Sequence, residues 1–416
     1  MASRLCSALV VALCLGGMTV LVASPLSRAQ PQPVSYLAGS TQKVCQVTGD
    51  LDEERQQPTL NQTRARFGVA GTDLGAPFEH QGRLYVLFGD TIGRRPEPGV
   101  DSFAFSDDRN PEDCLALEFV TERPGLFLPL RVPGISQGAY EVPTGGLSNG
   151  QVMYVFFKTD AVDGRPASRS VLAASADGGR TFRVVYDVSR SKFLTTQPVS
   201  VDNAEVPGLP ESEGAGVLLW GMGEYRASDP YLGYVPLARI EDRSAWRFFA
   251  GLDAGSGVPR WSTEEADAAP LFSQPCLGEG AGYWSPHLGK WLMVYDCSPS
   301  GHGQPKGVNV RAADAPWGPW SGAEVLFDPR RDEGYCRFIH VSWQVERCDS
   351  LGPENRRNDW GGLYAPYLIP RFTAGDDAAI TIYYLLSTWN PYQVVLMRSR
   401  LERAPSRQVE APASLD

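Results

Sequence analysis

The sequence predicts an all-β fold, a five-bladed β-propeller, and three observations carry that prediction. Its 43 glycines and 33 prolines cut the chain into short segments with little sustained helical periodicity, which favours strands and turns. One grammar recurs five times: an extended piece with Gly or Pro, an apolar aromatic strand, a strand of small and polar residues, and usually a fourth. Meanders repeating every roughly 60 to 85 residues suit a propeller, whose radial stacking protects sheet edges. A sandwich or jelly roll does not call for five similar units.

The apolar strands are expected at 84–88, 152–157, 217–220, 291–295 and 380–386, where β-branched and aromatic residues concentrate. Their partners follow at 102–106, 170–175, 231–239, 307–312 and 393–399. The propeller is thus expected over 62–401, after an extended arm over 30–61 and before a polar, disordered tail over 402–416.

Ahead of the arm, Met1-Ala2-Ser3-Arg4, an apolar stretch over 5–23 and Ser27-Arg28-Ala29 read as a cleavable signal peptide over 1–29. The apolar stretch is just long enough to span a bilayer, so an uncleaved anchor is the rival. No later segment has that length and apolarity, and the mature chain is expected to be secreted or periplasmic, away from the membrane, and a monomer. Cleavage removes Cys6 and Cys14 and leaves Cys45, Cys114, Cys276, Cys297, Cys336 and Cys348, an even set suited to three disulfides in an oxidising compartment. Spacing favours Cys336 with Cys348 and Cys276 with Cys297, leaving Cys45 with Cys114, although sequence alone leaves the pairing open.

A formal charge of −10 makes nucleic acids and anionic membranes poor partners. The four histidines, His80, His287, His302 and His340, are scattered, and no Cys-x-x-Cys occurs, so neither a metal site nor a cofactor is expected.

Two carboxylates stand out. Asp73, in Gly71-Thr72-Asp73-Leu74-Gly75, and Asp90, in Phe88-Gly89-Asp90-Thr91, bracket one predicted hairpin that turns at Gly82. Paired acids at one rim are what glycosidic cleavage needs, while the plainer reading has Asp73 capping a turn and Asp90 ending a strand. The apolar neighbours Phe88 and Gly89 lean slightly towards Asp90 as the acid. A third aspartate is read otherwise. Ser175-Ala176-Asp177-Gly178-Gly179-Arg180-Thr181-Phe182 resembles the Asp box of sialidase-like propellers, in which the aspartate binds turn amides and the aromatic ring packs between sheets; Asp177 is therefore expected to be structural.

Several stretches together resemble one family: the two aspartate motifs, Tyr225-Arg226-x-Ser228-x-x-Tyr231-Leu232, Trp317-Gly318-Pro319-Trp320 and Ser387-Thr388-Trp389-Asn390-Pro391-Tyr392-Gln393-Val394. This is the secreted family once called domain of unknown function 4185, now classed as glycoside hydrolase family 183, endo-D-arabinofuranases acting on mycobacterial arabinogalactan and lipoarabinomannan. The resemblance runs from about Phe67 to Leu401. It implies a five-bladed propeller, a polysaccharide substrate and a catalytic aspartate pair in the first blade, which falls on Asp73 and Asp90. The six mature cysteines and the charged insert over 336–359 lie outside that pattern.

Inner strands of a propeller line one funnel, so substrate contacts are expected from Thr144, Glu205, Tyr225, Arg226, Glu279, Tyr364, Trp389 and Asn390, with Trp284 as a further stacking surface. Each has a plain alternative in turn hydrogen bonds, internal ion pairs or packing. Two rivals stay open: a non-catalytic carbohydrate-binding propeller, and a hydrolase of another furanoside such as L-arabinan or a fructan. A sialidase fits less well, since its arginine cluster and Tyr/Glu pair are not found in convincing contexts.

Overall fold

A computed structural model of the chain describes residues 34–95, 97, 99–162, 167–297, 307–341 and 360–403. The expected signal peptide, Cys348, most of the charged insert and nearly all of the expected tail lie outside the described residues.

Each apolar run becomes the second strand of a meander, because its side chains must be buried on both faces between neighbouring sheets. Blade 1 is built from Val69–His80, Arg83–Gly93, Val100–Ser106 and Glu118–Phe119. Blade 2 uses Pro143–Ser148, Met153–Thr159, Arg169–Ser175 and Arg183–Ser189. Blade 3 adds a fifth strand, running through Thr195–Asp202, Ala215–Met222, Pro230–Pro236, Arg247–Leu252 and Pro259–Ser262. Blade 4 comprises Leu277–Ser285, Lys290–Cys297, Val308–Ala313 and Glu324–Phe327. All neighbouring strands within these sheets are antiparallel. The expected second and third strands are all found, each lengthened or shifted by a few residues.

Blade 5 departs from the reading of residues 30–61 as a separate arm. Gly362–Leu368, Ala379–Trp389 and Gln393–Arg403 are its first three strands, and Val34–Tyr36 and Gln42–Gln46 pair with the outer edge of Gln393–Arg403. The N-terminal segment is thus the outermost strand of the last blade, which covers an edge that would otherwise be open. A disulfide between Cys45 and Cys114 fastens that strand to blade 1, and Cys276–Cys297 joins the first two strands of blade 4. The second is a pair that spacing favours and the first the pair that it leaves over; Cys336 is also disulfide-bonded.

Apolar clusters fill the gaps between successive blades. Phe78, Leu87, Phe103, Val155 and Phe182 pack blade 1 on blade 2, and Phe156, Phe193, Val217 and Trp246 pack blade 2 on blade 3. Trp220 and Met293 join blades 3 and 4, Val294 and Ile382 join blades 4 and 5, and Phe88 and Leu385 close the ring. Phe182 and Gly179 of the Asp box lie against blade 1; a Cβ on Gly179 would stand 2.6 Å from the Phe103 ring.

Candidate active site

Inner strands start, and second strands end, at one mouth of the funnel. The pairings Asp73 with Gly89, Pro143 with Phe157, Thr195 with Met222, Leu277 with Cys297 and Gly362 with Trp389 set this level. Side chains placed there face each other across the ring.

Blade 1 is irregular at this level. Its first hairpin shifts register around Gly71, Asp73 and Leu74, and Leu74 (φ 65°) and Asp90 (φ 40°) take left-handed conformations. Such bulges re-aim side chains. Arg226, Ala365 and Asn390 share the positive φ at this mouth in other blades, a conformation that costs energy for residues other than glycine.

Asp73 is buried, and its Oδ2 accepts a 2.9 Å hydrogen bond from the Tyr364 hydroxyl. Its Oδ1 is sealed from solvent with no hydrogen-bond partner, in the space beside Gly89 that a Cβ would fill. Burial, reinforced by the charge of Asp90, pushes Asp73 up to about 6 against the pull of Tyr364, Tyr392 and Lys158. Asp90 is only half-buried and receives the Tyr140 N–H on both carboxylate oxygens, at 2.9 and 3.2 Å. Burial raises it too, while that N–H and Lys158 pull the other way. Behind it, the Asp101 carboxyl accepts the Asp90 N–H at 3.3 Å and the Gln137 amide at 3.2 Å. Burial and the charge of Asp90 push Asp101 well above its ordinary value. The Tyr392 hydroxyl donates to the Asp90 carbonyl at 3.1 Å, tying blade 5 to this hairpin.

Across the funnel, Glu279 and Asp296 form a second buried acidic pair. Asp296 accepts the Glu279 N–H at 2.8 Å and the Ala365 N–H at 3.3 Å, and Arg226 stands 3.8 Å from its other oxygen. Burial raises Asp296, opposed by Arg226 and these two N–H groups. Burial and the charge of Asp296 push Glu279 up to about 8. The Tyr225 hydroxyl donates to Glu279 at 3.2 Å, while Lys158 and Arg226 lie 4.9 and 4.7 Å from the Tyr225 ring centroid.

Of the residues singled out from sequence, Asp73, Asp90, Tyr225, Arg226, Glu279 and Tyr364 converge on this mouth. Trp389 ends its strand there, half-buried, and Asn390 follows it with its carbonyl accepting the His340 N–H at 2.9 Å. Thr144 is at the right level but spends its hydroxyl on the Phe156 and Thr196 carbonyls, at 3.4 and 3.1 Å, tying blade 2 to blade 3. Glu205 is not brought to the site. It is exposed in the short turn Asn203–Glu205 beyond the far end of its inner strand. Trp284 also lies near the opposite rim, tilted against Trp291 at 5.6 Å.

Sequence reasoning passed over Lys158, Asp101, Asp296 and Tyr392. A usable signal existed for two of them. Asp90, Lys158 and Asp296 each follow closely on the apolar run of a second strand, so aligning the repeats on those runs puts all three at one level.

The fold and the site together define a class: a five-bladed propeller with an acidic funnel built by every blade. The chain belongs to the family described as Domain of unknown function (DUF4185), whose model matches residues 59–398. No curated protein matches the sequence with significance. Among solved structures it is similar to a protein of unknown function from Dyadobacter fermentans, at 11% identity over 88% of this chain and 100% of that one, with a TM-score of 0.40. It is similar also to the arabinanase Arb43A of Bacillus subtilis, at 11% identity over 80% and 97%, TM-score 0.40. A glycosyl hydrolase from Bacteroides ovatus matches at 11% identity over 88% and 94%, TM-score 0.45.

Proposed function

We propose that this protein is an exported glycoside hydrolase that cleaves furanosidic linkages, acting within D-arabinan chains of arabinogalactan or lipoarabinomannan, with Asp73 and Asp90 as its catalytic pair. One observation carries the hydrolase reading: two adjacent blade-1 carboxyls sit in contrasting environments, one buried and raised to about 6, the other half-open on the Tyr140 N–H. That contrast supports an acid at one carboxyl and a base or nucleophile at the other. Asp73, the deeper of the two, gives its proton to the leaving oxygen as the C1–O bond breaks. Asp90, ionised, takes the proton of the attacking water or attacks C1 itself. This reverses the leaning drawn from Phe88 and Gly89, because neighbours in sequence count for less than Tyr364, Tyr392 and the blade packing. The D-arabinan specificity rests on the family resemblance alone.

The test is incubation of the oxidised protein with mycobacterial arabinogalactan, beside Asp73→Asn and Asp90→Asn, reading released oligosaccharides by chromatography. Oligoarabinosides from the parent and none from either variant support the proposal. Release from L-arabinan or a fructan instead moves the substrate, and no release from any of the three favours the binding-module rival.

A further inference from the structure

A cavity of about 200 Å³ opens between blades 2 and 3 at the funnel mouth, walled by Lys158, Ser168, Arg190, Leu194, Thr195 and Tyr225. The Lys158 side chain is only 9% exposed. Its ammonium makes no hydrogen bond to any described residue; Glu279 is its nearest acid, at 3.9 Å, and the Tyr225 ring lies beneath it. The ammonium tip is not sealed but opens on the cavity, where the oxygen atoms of water or of a ligand can reach it.

We propose that this cavity is a sugar subsite, in which Lys158 binds the hydroxyl oxygens of the unit next to the bond being cut. The inference rests on the hydrolase reading for the identity of that bond. The cavity lies below the about 300 Å³ at which pockets for larger ligands begin, which suits a single furanose or pyranose ring. Leu194 and the edge of Tyr225 offer an apolar surface, and Ser168 and Thr195 offer hydroxyls, the mixture a sugar ring presents in return. An anionic group fits poorly. Arg190 is engaged by Asp187 at 3.1 Å, and the carboxylates of the funnel repel further negative charge. The catalytic pair is close in the fold: Lys158 and Asp90 hold the same level near the ends of the second strands of neighbouring blades, and the charge of Lys158 also pulls on Asp73, Asp90 and Glu279.

The experiment is calorimetric titration of the full chain carrying Asp73→Asn, which silences turnover, with linear oligomers of D-arabinofuranose, L-arabinofuranose and fructofuranose. Lys158→Met and Ser168→Trp are then added singly to that background. Lys158→Met removes the cation, and Ser168→Trp fills the cavity from its half-buried wall. Each is expected to weaken the bound oligomer about tenfold or more while the melting temperature holds. Equal affinity in parent and both variants, or no binding of any oligomer by the parent, overturns the subsite. Turnover by the protein with Asp73 intact is read in parallel. Cleavage without any change in affinity sinks the subsite alone, whereas affinity that falls on substitution without any cleavage supports the subsite and sinks the hydrolase reading.

Discussion

Asp73 and Asp177 are aspartates in short glycine-flanked motifs of adjacent blades, and their surroundings drive them in opposite directions. In the exposed turn of blade 2, Asp177 takes hydrogen bonds from the Thr181 N–H at 2.9 Å, the Thr181 hydroxyl at 2.6 Å and the Ser175 hydroxyl at 2.8 Å. Slight burial works against these bonds, and they prevail, bringing Asp177 down to about 2. At the mouth of blade 1, Asp73 has one oxygen sealed without a partner and a like charge beside it, and burial takes it up to about 6. The turn fully satisfies its carboxylate, which then serves only to hold the turn. The mouth leaves its carboxylate poorly satisfied, so that gaining or losing a proton there changes something.

The hardest blow to this contrast comes from turnover. Asp73→Asn and Asp90→Asn are each expected to lower kcat by about a thousandfold or more, and Asp177→Asn to leave it within about twofold, on whichever furanoside is cleaved. Loss of activity in Asp177→Asn at an unchanged melting temperature would break the comparison outright.

Stability should respond with opposite signs. Because Asp73 is raised in the folded state, its contribution is whole below the unfolded value of 3.8 and is lost as pH rises through about 6. Asp73→Asn is therefore expected to stabilise the protein at pH 7 by up to about 3 kcal/mol and to change little near pH 4. Asp177, being depressed, contributes stability above 3.8 that is lost as pH falls through about 2. Asp177→Asn should cost about 1 kcal/mol at neutral pH, the worth of a net hydrogen bond. Denaturant titrations at the two pH values read both effects, and a destabilised Asp73→Asn at pH 7 would contradict the account of its burial.

A pH profile sharpens the role of Asp73. A proton donor must be protonated in the free enzyme, so the role proposed for Asp73 requires kcat/KM to fall as pH rises above about 6. A rate that climbs through that range would assign Asp73 the base role. The smallest effect is expected at Glu279. Since it already carries its proton at neutral pH, Glu279→Gln keeps the charge of the site and should reduce kcat by less than about tenfold, whereas a loss as deep as that of Asp73→Asn would make Glu279 a participant in the proton transfers.

The ring of blades was legible because each second strand is an apolar run buried on both faces, a pattern local in sequence. What was not legible depends on distant pairing. Gln42–Gln46 is short and mostly polar, and nothing near it reveals that its partner is Gln393–Arg403. The site follows the same rule. Asp73 and Asp90 sit in recognisable motifs, but Lys158 and Asp296 gain meaning only when the repeats are superposed. Glu205 was misplaced because a strand direction, not a motif, decides which rim a residue reaches.

The last blade also governs the order of assembly. Its outer strand lies near the start of the chain and its third strand ends at Arg403, so the N-terminal strand has no sheet partner until almost the whole polypeptide has been made. Blades 1 to 4 can collapse as local units, whereas closing so long a loop is slow compared with forming hairpins. During that interval the unpaired strand edge of blade 5 is exposed and adhesive. Early oxidation of Cys45 and Cys114 would moor the waiting strand beside blade 1, next to where blade 5 must close. An oxidising compartment would thereby raise the yield of closed rings as well as their durability.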